Sequence, residues 1–403
     1  MKKLSAFFIL ISAICMLSGC TEQTAAQINN EPVQIQQPVK APGADLPPEA
    51  SDEKGFASET ADVWTPAFQL CWNEFIKLTG RNKIEYINGN PALADELNKQ
   101  KFNKNDLNEK DYYISVTKQT LKHKKEIEKA IKEKFNETSD ILHKFQFENV
   151  KDEQTNKWFI YSMLLKKFPF IAKYDVLKPE GFNKDDKVKY KYFGFDYKNI
   201  EGKENRNKLY QNMKELFYAD DNDFAYKLID KTGTEEMLWY LTDSDKSFDD
   251  IYTEMQAKSE KREEYKQKRI EAEKAKYDEP VTVYFSNNYK FPYLHINEEF
   301  NFDEELSGRK IKDKNYETSG TYWIIAKTIQ TIKFDLDNEG AKLKSEAAIS
   351  FGDGARMAPV RAVIFNNYNF DRPFVIFLKE TGKDKPYFAA RIKDGKYLVK
   401  AEE

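Results

Sequence analysis

From Pro280 onward the chain reads almost entirely as β-strand. Apolar and β-branched residues gather at 281–285, 289–296, 321–337, 361–367, 373–379 and 386–392, with Gly, Asn, Asp and Pro between them. A stretch of this kind must build sheets. The texture upstream is different. Residues 117–146 are rich in lysine with apolar positions at irregular helical spacing, which predicts helix. Residues 255–277 are almost all charged, with only Tyr265, Ile270 and a few alanines to bury. They predict a solvated helix laced by i,i+4 ion pairs. Helices concentrated early and strands late predict an α+β fold.

Local signals add detail. Thr65 is suited to cap a helix that has Pro66 at its first position. Phe68, Cys71, Trp72 and Phe75 then share one helical face, and Gly80 closes the helix. The apolar run Trp158 to Leu165 predicts a strand buried on both faces. Residues 187–197 predict another strand, and 224–242 a hairpin about Thr232-Gly233. There is no internal repeat.

The chain is 40% hydrophobic and 14% aromatic, enough for a large core. Its charges nearly cancel at −3, and without residues 1–20, which carry two lysines and no acid, the balance is −5. A nucleic-acid binder needs a basic stripe to displace counterions, so that class is excluded. Of the three cysteines, Cys15 and Cys20 lie at the N-terminus and only Cys71 is left for the folded part. No intrachain disulfide framework can form. Cys71 is expected to be a small core residue.

Lys2 and Lys3 precede an apolar run from Leu4 to Leu17, too short and wrongly flanked for a permanent span. It ends in Leu17-Ser18-Gly19-Cys20, which resembles the bacterial lipobox, with small residues before the cut and a thiol after it. The expectation is a lipoprotein signal peptide over 1–19 and a lipidated Cys20, carrying palmitate-type acyl chains that hold the protein on a membrane of the bacterial cell envelope. Thr21, where an Asp would retain the protein, points to the outer membrane if the cell has two. Residues 21–60 hold five prolines, five glutamines and one aromatic, so 20–60 read as a tether and 61–403 as the folded domain.

Signatures of catalysis are missing from the sequence. His123, His143 and His295 are far apart and in no metal-ligand spacing. There is no phosphate-binding glycine loop and no Gly-x-Ser-x-Gly elbow, and nothing marks a pair of carboxylates as catalytic. No metal, no cofactor and no catalytic residue is expected.

Residues 368–378 read Tyr-Asn-Phe-Asp-Arg-Pro-Phe-Val-Ile-Phe-Leu. Pro373 lacks an amide donor and so suits the start of a strand, and Phe374 to Leu378 supply bulk for a core strand. Asp371-Arg372-Pro373-Phe374 resembles the signature of the serpin family. Pro386-Tyr-Phe-Ala-Ala-Arg391-Ile is similar to the last serpin strand, and 289–307 to the strand and helix before the family's central-sheet strand. Residues 321–340 resemble that strand, with Lys327-Thr328 as its Lys-Thr/Ala step and Glu339-Gly340 as the start of the reactive-loop hinge. The family's Asn-x-x-x-Ser-Pro-x-Ser and Gly-Ala-x-x-x-Thr segments are not found, which leaves the region under its main sheet undefined.

The resemblance implies a large mixed β-sheet with packed helices and C-terminal strands. It also implies an inhibitor of serine or cysteine proteases that works by cleavage of an exposed loop and insertion of that loop into the main sheet. Insertion requires alternate residues to be small or apolar. Ala341, Leu343, Ser345, Ala347, Ile349 and Phe351 alternate with Lys342, Lys344, Glu346, Ala348 and Ser350. The family's spacing from the hinge puts the scissile bond at Gly354, and Arg356 and Arg361 are the candidates for a trypsin-like protease. Leu343, Lys344 and Glu346 are bulkier than the family's run of alanines. The alternative is therefore a non-inhibitory serpin-fold lipoprotein that binds or supports at the cell surface.

Overall fold

A computed structural model describes residues 62–199, 201–341 and 361–402. The signal peptide, Cys20, the tether, Leu343, Ser345, Ala347, Gly354 and Arg356 lie outside the described residues.

The first half runs β1 (Val63–Trp64), α1 (Ala67–Thr79), α2 (Ala92–Asn98), β2 (Tyr112–Lys118), α3 (Leu121–Phe135), β3 (Trp158–Leu164) and β4 (Phe168–Pro169). Next come β5 (Asp175–Phe182), β6 (Asp185–Gly194), α4 (Lys203–Gln211), β7 (Met213–Asp220), β8 (Asp223–Ile229) and β9 (Glu235–Leu241). Then follow α5 (Phe248–Glu260), α6 (Arg262–Lys274), β10 (Thr282–Pro292), β11 (Leu294–Asn301), α7 (Asp303–Leu306), β12 (Lys310–Lys312) and α8 (Tyr316–Ser319). The last group is β13 (Tyr322–Ile324), β14 (Ile329–Leu336), β15 (Gly340–Ala341), β16 (Arg361–Asn369), β17 (Phe374–Glu380) and β18 (Phe388–Ile392). The α+β expectation holds. Among the described residues no helix is long and apolar enough to cross a membrane.

An antiparallel sheet in the order β1-β18-β17-β9-β8-β7 faces a second sheet in the order β16-β10-β6-β5, where β10 and β16 run parallel. Aromatic rings fill the space between them. Trp239 of β9 meets Phe291 and Phe370 at 4.9 Å and Phe374 at 5.3 Å. Residues of β17 alternate in destination. Phe374, Ile376 and Leu378 enter this core, while Val375 and Phe377 pack under α5 against Ile251 and Tyr252. That explains the uninterrupted apolar run, since a strand covered on both faces has no reason to alternate.

Several local expectations need correction. The cap of α1 is Pro66, with no side-chain bond, and the Thr65 hydroxyl instead accepts from Gln330 Nε2 at 2.9 Å. Gly80 ends α1 as expected, at φ +69°. The lysine-rich stretch is helical over α3 and a single 3-10 turn at Leu142–Lys144, and β2 takes up its first residues. The run 321–337 is two strands, β13 and β14, with Ala326-Lys327-Thr328 crossing between them. The charged stretch breaks at Lys261 into α5 and α6. The expected hairpin about Gly233 is β8–β9, with φ +74° at the glycine.

Candidate functional site: a slot between two ribbons

Two antiparallel ribbons stand apart from the sheets above. In one, β2 pairs β3 from Tyr112↔Leu164 to Lys118↔Trp158. In the other, β11 pairs β14 from Leu294↔Leu336 to Asn301↔Ile329. Among the described residues, β3 and β14 have no ladder partner on their other edges. Between those edges lies a cavity of about 1020 Å³. Helix α1 forms its floor with Phe68, Cys71 and Trp72, and residues 137–146 lie over it. The expectation that 158–165 is buried on both faces holds for one face only. Phe159 and Tyr161 are buried against Ile127 and Ile131 of α3, whereas Ile160, Ser162 and Leu164 are half-buried, and residues of both faces border the cavity.

The predicted hinge stands at the head of this slot. After Leu336 the chain turns through Asp337 to Gly340, and Glu339 N donates to Asp337 Oδ1 at 2.8 Å. Then β15 runs antiparallel to β4, pairing Gly340 with Pro169 and Ala341 with Phe168. Gly340 has φ +116°, and a Cβ there would stand 2.4 Å from the Phe168 carbonyl oxygen, so no other residue fits without shifting backbone. The neighbours of Gly340 are held as firmly. Phe170 N donates to Glu339 O at 3.1 Å, Tyr174 N to Asn338 O at 2.9 Å, and Asn338 Nδ2 to Tyr174 O at 3.0 Å. Lys173 pairs with the Glu339 carboxylate at 2.7 Å.

The remaining predicted residues go elsewhere. Arg361 is the first residue of β16, where its backbone pairs with Thr282. The signature residues fasten the start of β17. Asp371 pairs with Lys290 at 2.8 Å, its carbonyl accepts from Asn183 N at 2.7 Å, and Arg372 Nη2 donates to the Asp221 carbonyl. Pro373 precedes the strand, and Phe374 is fully buried against Trp239. These roles are structural.

Sequence reasoning missed the polar groups on the two strands that flank the slot and the charge cluster at its head. Gln330 is buried with its Nε2 bound to Thr65, and its Oε1 has no partner; the buried hydroxyl of Ser162 on β3 has none either. A Gln and a Ser within apolar strands (Tyr-Ser-Met-Leu, Thr-Ile-Gln-Thr-Ile) were the available signal. Cys71 is half-buried and borders the cavity, with Sγ 4.0 Å from the Ile160 carbonyl oxygen. Burial pushes its thiol up to about 12, so it stays protonated and is a poor nucleophile. At the head of the slot, the buried Lys166 Nζ meets Asp111 and Glu235 at 2.8 Å and Glu380 at 2.6 Å. Among the described residues these carboxylates are the one group placed to hold a metal ion, and the lysine occupies their centre. His123 lies between Glu126 at 2.6 Å and Asp152 at 2.8 Å, and His295 lies 2.6 Å from Asp335, so both rings are held by neighbouring carboxylates.

No family model and no curated protein matches the chain. Among solved structures, it is similar to the native state of tengpin, a thermophilic serpin. The identity is 11%, the TM-score 0.43, and the match covers 84% of this chain and 89% of that one. It is also similar to a highly specific serpin of the insect Tenebrio molitor, with 14% identity, 71% and 77% of the two chains covered and a TM-score of 0.34. Human glycosylated kallistatin matches at 12% identity over 68% and 64%, with a TM-score of 0.36. These solved structures to which this α+β chain is similar are serpins.

Proposed function

We propose that this chain is a lipid-anchored, serpin-like inhibitor of a serine or cysteine protease, and that 342–351 enters the slot as a strand after the loop is cleaved. The observation that carries this reading is the position of β15, which already lies along β4 at the head of the slot. Its pairing of 340 with 169 and 341 with 168, continued without a bulge, sets 351 opposite 158, the first residue of β3. The bridge from Asp337 to Gly340 sets a register for the other edge, with 343 opposite Phe334 and 347 opposite Gln330. Phe334 and Gln330 are buried, while Lys333 and Asp335 are exposed. Opposed residues of an antiparallel pair point to the same face. The odd residues 343 to 351 would therefore face the core, which is the set that is small or apolar in sequence. A slot whose two edges have no ladder partner among the described residues is a template for an added strand.

The test is to mix the chain carrying Cys20→Ser with trypsin. The expected result is a complex that survives boiling in detergent and, after cleavage in 352–362, a large rise in melting temperature. Cleavage with no complex would refute inhibition, and an unchanged melting temperature would refute insertion. The bulk of Leu343 and the charge of Lys344 and Glu346 favour the second reading, a serpin-like surface lipoprotein that does not inhibit. It gives cleavage without a trapped complex. Anchoring through Cys20 is tested apart from this. The unaltered chain should enter the detergent phase of an extract and Cys20→Ser should leave it; equal partition would refute the anchor.

A further inference from the structure

Residues 137–146 roof the slot, and they are held to its two sides by different forces. On the β3 side the hold is apolar. Leu142 is buried in the cluster of Ile127, Ile131 and Phe159, and the rings of Phe145 and Phe147 meet Phe159 at 5.0 and 4.9 Å. The Ser139 hydroxyl accepts from Leu142 N at 3.2 Å, which folds the start of the segment back on itself. On the far side the hold is polar. Asp140 pairs with Lys333 of β14 at 2.9 Å, and Lys144 pairs with Glu299 of β11. Lys327 donates to the Lys144 carbonyl at 3.0 Å and lies 5.6 Å from the centre of the Phe145 ring. Asp140 and Lys333 are each about half exposed, at 49% and 51% of the side chain.

We infer that residues 137–147 are an electrostatic latch across the slot, hinged on Leu142, Phe145 and Phe147 and closed by Asp140–Lys333 and Lys144–Glu299. The asymmetry carries the inference. Exposed ion pairs are weak and are screened by salt, whereas buried aromatic packing is not. When the segment lifts, the far side releases first and the near side acts as the pivot. A strand entering between β3 and β14 would need its outward side chains cleared of this segment, so the latch would set how readily the slot accepts one. That purpose rests on the insertion reading; the latch itself does not.

Cys71 reports on the roof because it borders the cavity on the α1 side. The full chain with Cys15→Ser and Cys20→Ser retains Cys71 as its single thiol. Burial keeps this thiol protonated, so its modification by a small methanethiosulfonate at pH 8.5 is slow, and the ratio of its rates at high and low salt is the readout. The latch requires labelling to be about threefold or more faster in 0.5 M salt, as expected for weak exposed pairs under screening. Asp140→Lys should label at the fast rate even at low salt. The swap Asp140→Lys with Lys333→Asp should return the slow, salt-sensitive rate at an unchanged melting temperature. Labelling of Asp140→Lys at the unaltered rate would overturn the latch, and so would a swap that fails to restore it. If labelling responds as expected but the cleaved chain shows no rise in melting temperature, the latch stands and insertion falls. If the cleaved chain inserts but labelling does not respond, insertion stands and the latch falls.

Discussion

Replacing Lys166 by Met removes a buried cation that three carboxylates share. Asp111, Glu235 and Glu380 would be left with oxygens within 4.8 Å of one another and no neutralising partner. Asn108 N still donates to Glu380 at 2.7 Å and Tyr387 OH to Glu235 at 2.8 Å, but neither carries charge. Burial already holds the Glu235 carboxyl above its usual range, with Lys166 opposing the shift. Removing one partner of a buried ion network costs about 3–5 kcal/mol. Part of that is relieved by protonation. Without the lysine the burial that raises Glu235 goes unopposed, so its penalty is absent at low pH, where the carboxyl is protonated, and grows as pH rises through the folded value. The loss should therefore be full at pH 7.5 and smaller at pH 5. In a domain of this size each kcal/mol moves Tm by about 1–2 °C, so the midpoint should fall by roughly 5 °C at pH 7.5. Calorimetric scans of both proteins at one rate and both pH values measure it. A shift below about 2 °C at pH 7.5, or an equal shift at both pH values, would refute this account of the cluster.

Other outcomes follow from single contacts. Gly340→Val places a branched side chain at φ +116° against the Phe168 carbonyl and should destabilise the hinge by about 1–3 kcal/mol; limited proteolysis should show faster cutting at 337–345 with β17 untouched. Phe374→Ala empties a fully buried site beside Trp239 and should cost about 3–5 kcal/mol, read as a lower Tm or loss of soluble protein. Burial lowers the His123 pKa, but bonds to Asp152 and Glu126 outweigh it and leave the imidazole above its usual value. Its stabilising effect should be full below pH 6.5 and fade as pH rises past the folded pKa, so that proton NMR titration gives a value above 6.5 that Asp152→Asn brings down.

Much of the fold was legible because its causes are local. Pro66, Gly80 and the spacing of Phe68, Cys71, Trp72 and Phe75 make α1 without help from elsewhere. Gly233 with a strand on each side makes the β8–β9 hairpin. Phe374 to Leu378 can only be a covered strand, whatever covers it. The turn at Gly340 was singled out by resemblance alone, and the structure shows there a glycine at positive φ packed against the Phe168 carbonyl. What failed were statements about who covers whom. Trp158 to Leu164 carries apolar residues on both faces, yet only Phe159 and Tyr161 are buried, and no property of the run itself distinguishes the two faces. Thr65 has the chemistry of a helix cap but bonds Gln330, a residue 265 positions away.

By itself, then, the sequence determined the helix from Pro66 to Gly80, the hairpin about Gly233 and the residues that begin the covered strand β17, because propensity and turn chemistry act within a few residues. The slot is a product of the tertiary structure alone: it exists because β2 and β11 each hold one ribbon while nothing among the described residues joins β3 to β14. The same is true of Lys166, whose three carboxylates come from positions 55, 69 and 214 residues distant. Such long-range juxtapositions leave no periodic mark in a chain, since the energy that fixes them is that of burial and charge pairing between surfaces that meet only once the core has formed.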